Sequence, residues 1–152
     1  EILENRGEVI CHGVLAAPGR PVCVTVINGK AVINTSGPMI AAYYAINWCL
    51  RPVIARWFGV PEVKPQTVTA TLTTAIGTPN VSDGAELELL YRLYVSKTAD
   101  GYEAEPITFP PKTAPRSKGF PNGQFISVAG KGNYPKGSEI EVQLLYPIEF
   151  IY

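Results

Sequence analysis

The chain has 152 residues, 46 % of them hydrophobic and 17 % charged, a composition that buries a core and excludes an intrinsically disordered chain. Thirteen Lys and Arg offset thirteen Asp and Glu, so no net field gathers nucleic acid or an anionic membrane. No apolar run reaches a bilayer span, because the longest, from Met39 to Phe58, is broken by Asn47, Arg51, Pro52 and Arg56. The first residue is Glu1 and no basic-then-apolar leader precedes the first strand, which reads as a piece of a longer chain without a secretory signal. Cys11, Cys23 and Cys49 are odd in number and sit among apolar residues, which predicts reduced core thiols and a cytoplasmic protein.

In chain order, Glu8 to Val14 reads as a short strand. Val22 to Ile27 and Ala31 to Asn34, joined by Asn28-Gly29, read as a hairpin whose turn needs positive φ angles. The apolar spacing of Ile40, Tyr43, Tyr44, Trp48 and Leu50 predicts a helix from about 38 to 58, with Ser36 as cap and Pro38 in the first turn. Pro52 is expected to bend it, and Gly59 and Pro61 to end it. A boundary follows over Val60 to Gln66. Beyond it Val68, Ala70, Leu72, Thr74 and Ile76 alternate with threonines, and Leu87, Leu89, Tyr91, Leu93 and Val95 alternate with Glu86, Glu88 and Arg92. Tyr102 to Ile107, Phe125 to Val128 and Ile140 to Tyr146 complete five strands, which predict a small antiparallel barrel or sandwich. The proline-rich segment Pro106 to Pro121 carries Lys112, Arg116 and Lys118 and reads as a functional loop.

Two turns flank the hairpin closely in sequence: Pro18-Gly19-Arg20-Pro21 before it, and Thr35-Ser36-Gly37-Pro38 at the start of the helix. Meeting at one rim of a sheet, they combine backbone N–H groups, a helix start and a cation, which suits an anionic, phosphate-bearing ligand. Arg20 reads either as an oxyanion-binding guanidinium on a restrained backbone or as a solvated surface arginine. Ser36 and Gly37 read either as phosphate ligands at the helix start or as ordinary capping. Cys11 and His12 are adjacent, point to opposite faces of a strand and lack metal-ligand spacing, so they do not make a metal cage. Neither a Ser/His/Asp arrangement nor a Walker loop is present. Tyr43, Tyr44, Trp48, Trp57 and Phe58 read as core and interface.

The order of these segments resembles the carboxy-terminal part of the MoeA/gephyrin family. There a strand ending in HGV, as His12-Gly13-Val14 does here, runs into PGKP, then a hairpin, then LPGNP at the start of a long helix. The first motif here has Arg20 where the family has lysine, and the second is altered and one residue shorter. Asn122-Gly123-Gln124 and Lys136 to Val142 are similar to the NGL and GE-V-V segments of the family's last domain. The resemblance implies an α+β fragment: hairpin and long helix from the end of an α/β pterin-binding domain, residues 1–62, then a small all-β barrel-like terminal domain, residues 63–152. It implies molybdenum cofactor biosynthesis, the insertion of molybdate into adenylylated molybdopterin with release of AMP, assisted by Mg2+ in a homodimer, with neither nucleic acid nor membrane as partner. The substrate-binding residues it carries over are Pro18, Gly19, Arg20, Pro21, Ser36, Gly37, Pro38 and, more loosely, Ser117. None is catalytic, and the family's acidic site residues lie in earlier segments, so this piece alone is expected to be inactive. The other reading is a non-catalytic interaction or dimerisation module derived from the same family.

Overall fold

The structure, a computed structural model, describes residues 2–35, 37–77, 87–107 and 120–152. The chain divides into two compact units, Glu1–Val63 and Lys64–Tyr152.

In the first unit β1 (Glu8–His12), β3 (Cys23–Ile27) and β4 (Lys30–Asn34) form an antiparallel sheet in the order β1-β3-β4. The segment from β1 to β3 contains a two-residue strand, β2 (Ala16–Ala17). Asn28 at φ 51° and Gly29 at φ 73° turn β3 into β4, the backbone that a two-residue hairpin requires and that Asn-Gly adopts at little cost. Helix α1 (Met39–Ala45) passes through a π-helical turn, Ile46–Leu50, into α2 (Arg51–Phe58). The expected break at Pro52 therefore takes the form of a π turn. Proline has no N–H to continue the α ladder, and just before it the Arg51 N–H reaches the carbonyl of Ile46, five residues back. Asn47 Nδ2 donates to the Tyr43 carbonyl at 2.8 Å, and Arg51 Nη1 donates to Asn47 Oδ1 at 2.9 Å. Gly59, left-handed, ends α2, and Val60 N donates to the Ala55 carbonyl at 3.0 Å. Pro38 stands at the N-cap rather than inside the first turn, and its carbonyl accepts from the N–H groups of Ala41 and Ala42. The expected cap, Ser36, lies outside the described residues.

Val22, Thr25, Ala41, Tyr44 and Ala45 are buried in this unit. The aromatic set expected to be buried on several sides divides: Tyr44 is buried, whereas Trp57 and Phe58 at the end of α2 are exposed. Of the three thiols only Cys23 is buried, with Cys11 and Cys49 half-buried.

The second unit is a closed barrel of β7 (Glu88–Thr98), β8 (Gly101–Pro106), β5 (Thr67–Leu72), β11 (Glu139–Leu144) and β9 (Gly123–Ile126), in that order, with β7 pairing β9 to close it. Val68, Ala70 and Leu72 of β5 and Ile140, Val142 and Leu144 of β11 point inward, and the threonines of β5 point outward, as period-2 alternation requires. The expectation of a wholly antiparallel barrel fails at one seam. β5 and β8 run parallel, through Thr71–Glu103 and Leu72–Ala104, because the β7–β8 hairpin inserts its second strand, not its first, beside β5. The alternation expected to continue to Ile76 ends at Leu72. Ile76 instead begins a separate two-residue strand, β6 (Ile76–Gly77), paired with β10 (Asn133–Tyr134). In β7 the strict alternation breaks at Leu90, which is also buried. This strand pairs with β9 through Leu90–Leu93 and with β8 through Leu93–Thr98, so one long strand serves both sides of the closure.

Candidate oxyanion-binding turn

The sheet register sets the geometry of the candidate site. His12 pairs with Cys23, and Cys23 with Asn34. These residues form one row across β1, β3 and β4, with neighbouring strands about 4.8 Å apart. The segment from Gly13 to Val22 and the segment after Asn34 therefore both leave the sheet at the same end.

The first of these segments is tied at its neck. Gly13 N donates to the Val22 carbonyl at 2.7 Å, Val14 N to the Arg20 carbonyl at 3.0 Å, and Val22 N to the Gly19 carbonyl at 3.1 Å. Pro18, after a cis Ala17–Pro18 peptide, and Pro21 bracket the turn and fix φ on either side. Gly19 is buried at φ 122°, a conformation that L residues rarely adopt. A Cβ there would stand 3.3 Å from Cζ3 of Trp48. The Arg20 carbonyl is occupied by Val14, while its side chain is exposed to solvent. A planar guanidinium with five donors on a backbone fixed in this way is suited to a phosphate-like oxyanion.

Of the predicted site residues, Pro18, Gly19, Arg20 and Pro21 thus form one turn. Gly37 and Pro38 are exposed at the start of α1. What Gly19 packs against is the indole of Trp48, in the π turn, and not the first helical turn. Ser36 and Ser117 lie outside the described residues, as do residues 108–119 of the basic proline-rich loop. The sequence places Trp48 in core and interface, and no local pattern pairs a Pro-Gly-Arg-Pro turn with an indole so far along the chain. Cys11 Sγ donates to the Gly13 carbonyl at 3.2 Å. Burial pushes the Cys49 thiol up, and neighbouring Cys11 adds to this shift. Among the described residues no group of three or more His, Cys, Asp or Glu side chains could hold a metal ion. Among them, too, no helix is long and apolar enough to cross a membrane.

The fold is similar to that of several solved structures. A molybdopterin biosynthesis MoeA protein from Pyrococcus horikoshii matches with a TM-score of 0.70 and 24 % identity, over 95 % of this chain and 34 % of that one. A second MoeA structure, from Pyrococcus horikoshii OT3, matches with a TM-score of 0.64 and 20 % identity, over 90 % of this chain and 32 % of that one. A molybdenum cofactor biosynthesis protein from Pyrococcus furiosus matches with a TM-score of 0.63 and 21 % identity, over 90 % of this chain and 45 % of its own. The chain therefore has the fold of a MoeA-like fragment and spans about a third of the length of the two MoeA structures. No family model matches the sequence, and no curated protein matches it.

Proposed function

We propose that this chain is the carboxy-terminal part of a molybdopterin molybdenumtransferase, acting in cytoplasmic molybdenum cofactor biosynthesis. Glu1–Val63 supplies the final hairpin and helix of the pterin-binding domain, and Lys64–Tyr152 is the terminal β-domain. The observation that carries this reading is the Pro18–Pro21 turn, in which a buried Gly19 and three backbone hydrogen bonds hold Arg20 with its side chain in solvent. Arg20 takes a phosphate of adenylylated molybdopterin or the molybdate that is inserted as AMP leaves, and Pro18, Gly19 and Pro21 shape the turn around it. Gly37 and Pro38, with Ser36 and Ser117, complete the substrate-binding set in this reading. The Mg2+ of the family reaction is not assigned to this chain's described residues, whose carboxylates, thiols and histidine do not gather into a donor set.

The test is binding of adenylylated molybdopterin to the protein with Arg20 and with Arg20→Glu. Loss of one charge-assisted hydrogen bond, about 1.5–3 kcal/mol, weakens binding by about tenfold or more. Equal affinity removes Arg20 from the site.

A second reading, an interaction and dimerisation module, is favoured by one observation. Met39, Tyr43, Ile46, Leu50, Ile54 and Trp57, on α1, the π turn and α2, are all exposed. In that reading these exposed apolar residues take a partner. Affinity for the nucleotide-linked pterin that depends on Arg20 favours the first reading, and its absence favours the module.

A further inference from the structure

We propose that Trp48 is the positioning residue of the Pro18–Pro21 turn: its indole is the surface on which Gly19 rests, and by fixing Gly19 it sets the direction of the Arg20 side chain. The assignment of an oxyanion to Arg20 rests on the reading above. The role of Trp48 rests on the packing of the turn alone.

The contact leaves no room for a side chain at position 19. A Cβ built on Gly19 would meet Trp48 Cζ3 at 3.3 Å and Cη2 at 3.9 Å, so the side of Gly19 where a side chain would stand is taken by the Cζ3–Cη2 edge of the indole. Trp48 also stacks on Tyr44, with ring centroids 5.3 Å apart and planes 18° from parallel. Tyr44 is itself 1 % exposed and takes the edge contact of Tyr43 at 5.5 Å. The indole thus contacts both a buried ring and a glycine at φ 122°. Any other residue at position 19 would push against the ring and leave its favoured backbone region at once.

The helix directs the ring toward the turn. Trp48 is the central residue of the π turn Ile46–Leu50, whose Arg51 N–H to Ile46 carbonyl bond precedes Pro52. A π turn takes in one residue more than an α turn and so offsets the faces on either side by about 100°. Asn47, one residue before Trp48, covers the Tyr43 carbonyl, and Arg51 braces Asn47. A physical chain therefore runs from Pro52 to the π turn, to the indole, to Gly19 and so to Arg20. It explains why a tryptophan in the middle of a helix is not simply core: Trp48 remains partly exposed beside the turn it supports.

Two readouts test this in the full chain. The first is backbone hydrogen exchange at Val14 and Val22, whose N–H groups bond the carbonyls of Arg20 and Gly19. Exchange at both should rise by about tenfold in Trp48→Leu and much less in Trp48→Phe, which keeps a ring under Gly19. Gly19→Ala, which disturbs the same contact from the opposite side, should raise it too, so the test does not depend on one variant folding. The second readout is calorimetric affinity for inorganic pyrophosphate, which should fall by about fivefold or more in Trp48→Leu, recover in Trp48→Phe, and vanish in Arg20→Gln. Loss of binding in Arg20→Gln with unchanged exchange and affinity in Trp48→Leu leaves the oxyanion reading standing and overturns the role of Trp48. Pyrophosphate that binds neither wild type nor variant, or binds Arg20→Gln as well as wild type, overturns the oxyanion assignment, and the exchange rates alone then decide whether Trp48 holds the turn.

Discussion

The side-chain amide of Asn122 pairs with both backbone groups of Val95. Its Oδ1 accepts the Val95 N–H at 2.7 Å, and its Nδ2 donates to the Val95 carbonyl at 2.8 Å. The amide thus reproduces the pairing of a neighbouring strand at a point of β7 where β9 has already ended. The Asn122 backbone is engaged as well, its N–H bonding the Leu93 carbonyl and its carbonyl accepting from Leu145 N. The Asn-Gly pair that resembled a family motif therefore has a structural task, clasping the barrel where β7, β9 and β11 meet.

Asn122→Ala removes both side-chain bonds and leaves two backbone groups of a buried residue to find other partners. A loss of about 1–3 kcal/mol in urea unfolding is expected. Asn122→Asp should be at least as costly at pH 7, because a carboxylate cannot donate to the Val95 carbonyl, and less costly near pH 4, where a protonated carboxyl can. A pH-independent difference between Asn122→Asp and wild type would contradict the two-bond geometry.

Gly123, the next residue, pairs with Leu93 on one side and Leu144 on the other. A Cβ there would stand 2.6 Å from Cγ2 of Val95 and 2.8 Å from Cγ1 of Val142, both buried. Gly123→Ala should destabilise the barrel by roughly 1–3 kcal/mol through overpacking. In a Val142→Ala background the same change should cost measurably less, since one of the two colliding methyl groups is gone. Additive losses in that double-mutant cycle would show that crowding is not the cause.

The raised affinity of Cys49 for its proton predicts slow alkylation. At pH 8 iodoacetamide should modify Cys49 more slowly in the folded protein than in the unfolded chain, and the difference should close as pH rises past the folded value. For stability, the folded state holds this proton more tightly. Its contribution is complete below the unfolded thiol pKa of about 8.5 and is lost as pH rises through the folded value. Cys49→Ala should therefore show a shallower alkaline decline in thermal unfolding temperature than wild type.

The exposed apolar row from Met39 to Trp57 predicts self-association. Met39 is 86 % and Trp57 80 % exposed, and covering such surface contributes about 25 cal/mol per Å². Light scattering at roughly ten micromolar should find a species larger than the monomer, and Ile46→Glu with Ile54→Glu should return it to one chain, because each buries a charge in any such interface. A monomeric wild type at that concentration would remove the claim.

Much of the barrel was legible in local patterns. The alternation of Val68, Ala70 and Leu72 with threonines, and of Ile140 and Val142 with glutamates, sorts side chains to two faces whatever their neighbours are, because successive Cβ atoms in a strand point oppositely. Asn28-Gly29 likewise specifies its turn through backbone energetics confined to two residues. Arg20 between Gly19 and Pro21 was visible as a restrained cation for the same local reason. Other features are relations between distant segments. Which strand lies beside β5, and hence the parallel seam at Thr71–Glu103, depends on how the β7–β8 hairpin is placed in the ring. The crowding around Gly123 arises from Val95 and Val142, contributed by two other strands. Pro52 announced an interruption, but whether it became a kink or a π turn depended on the carbonyls and side chains available to Arg51 and Asn47. The support of Gly19 by Trp48 required the sheet's end and the middle of the helix to come together. Propensity and periodicity act over a few residues, whereas closure, seam direction and the seat of the arginine turn are set by packing between segments tens of residues apart, which only the folded chain decides.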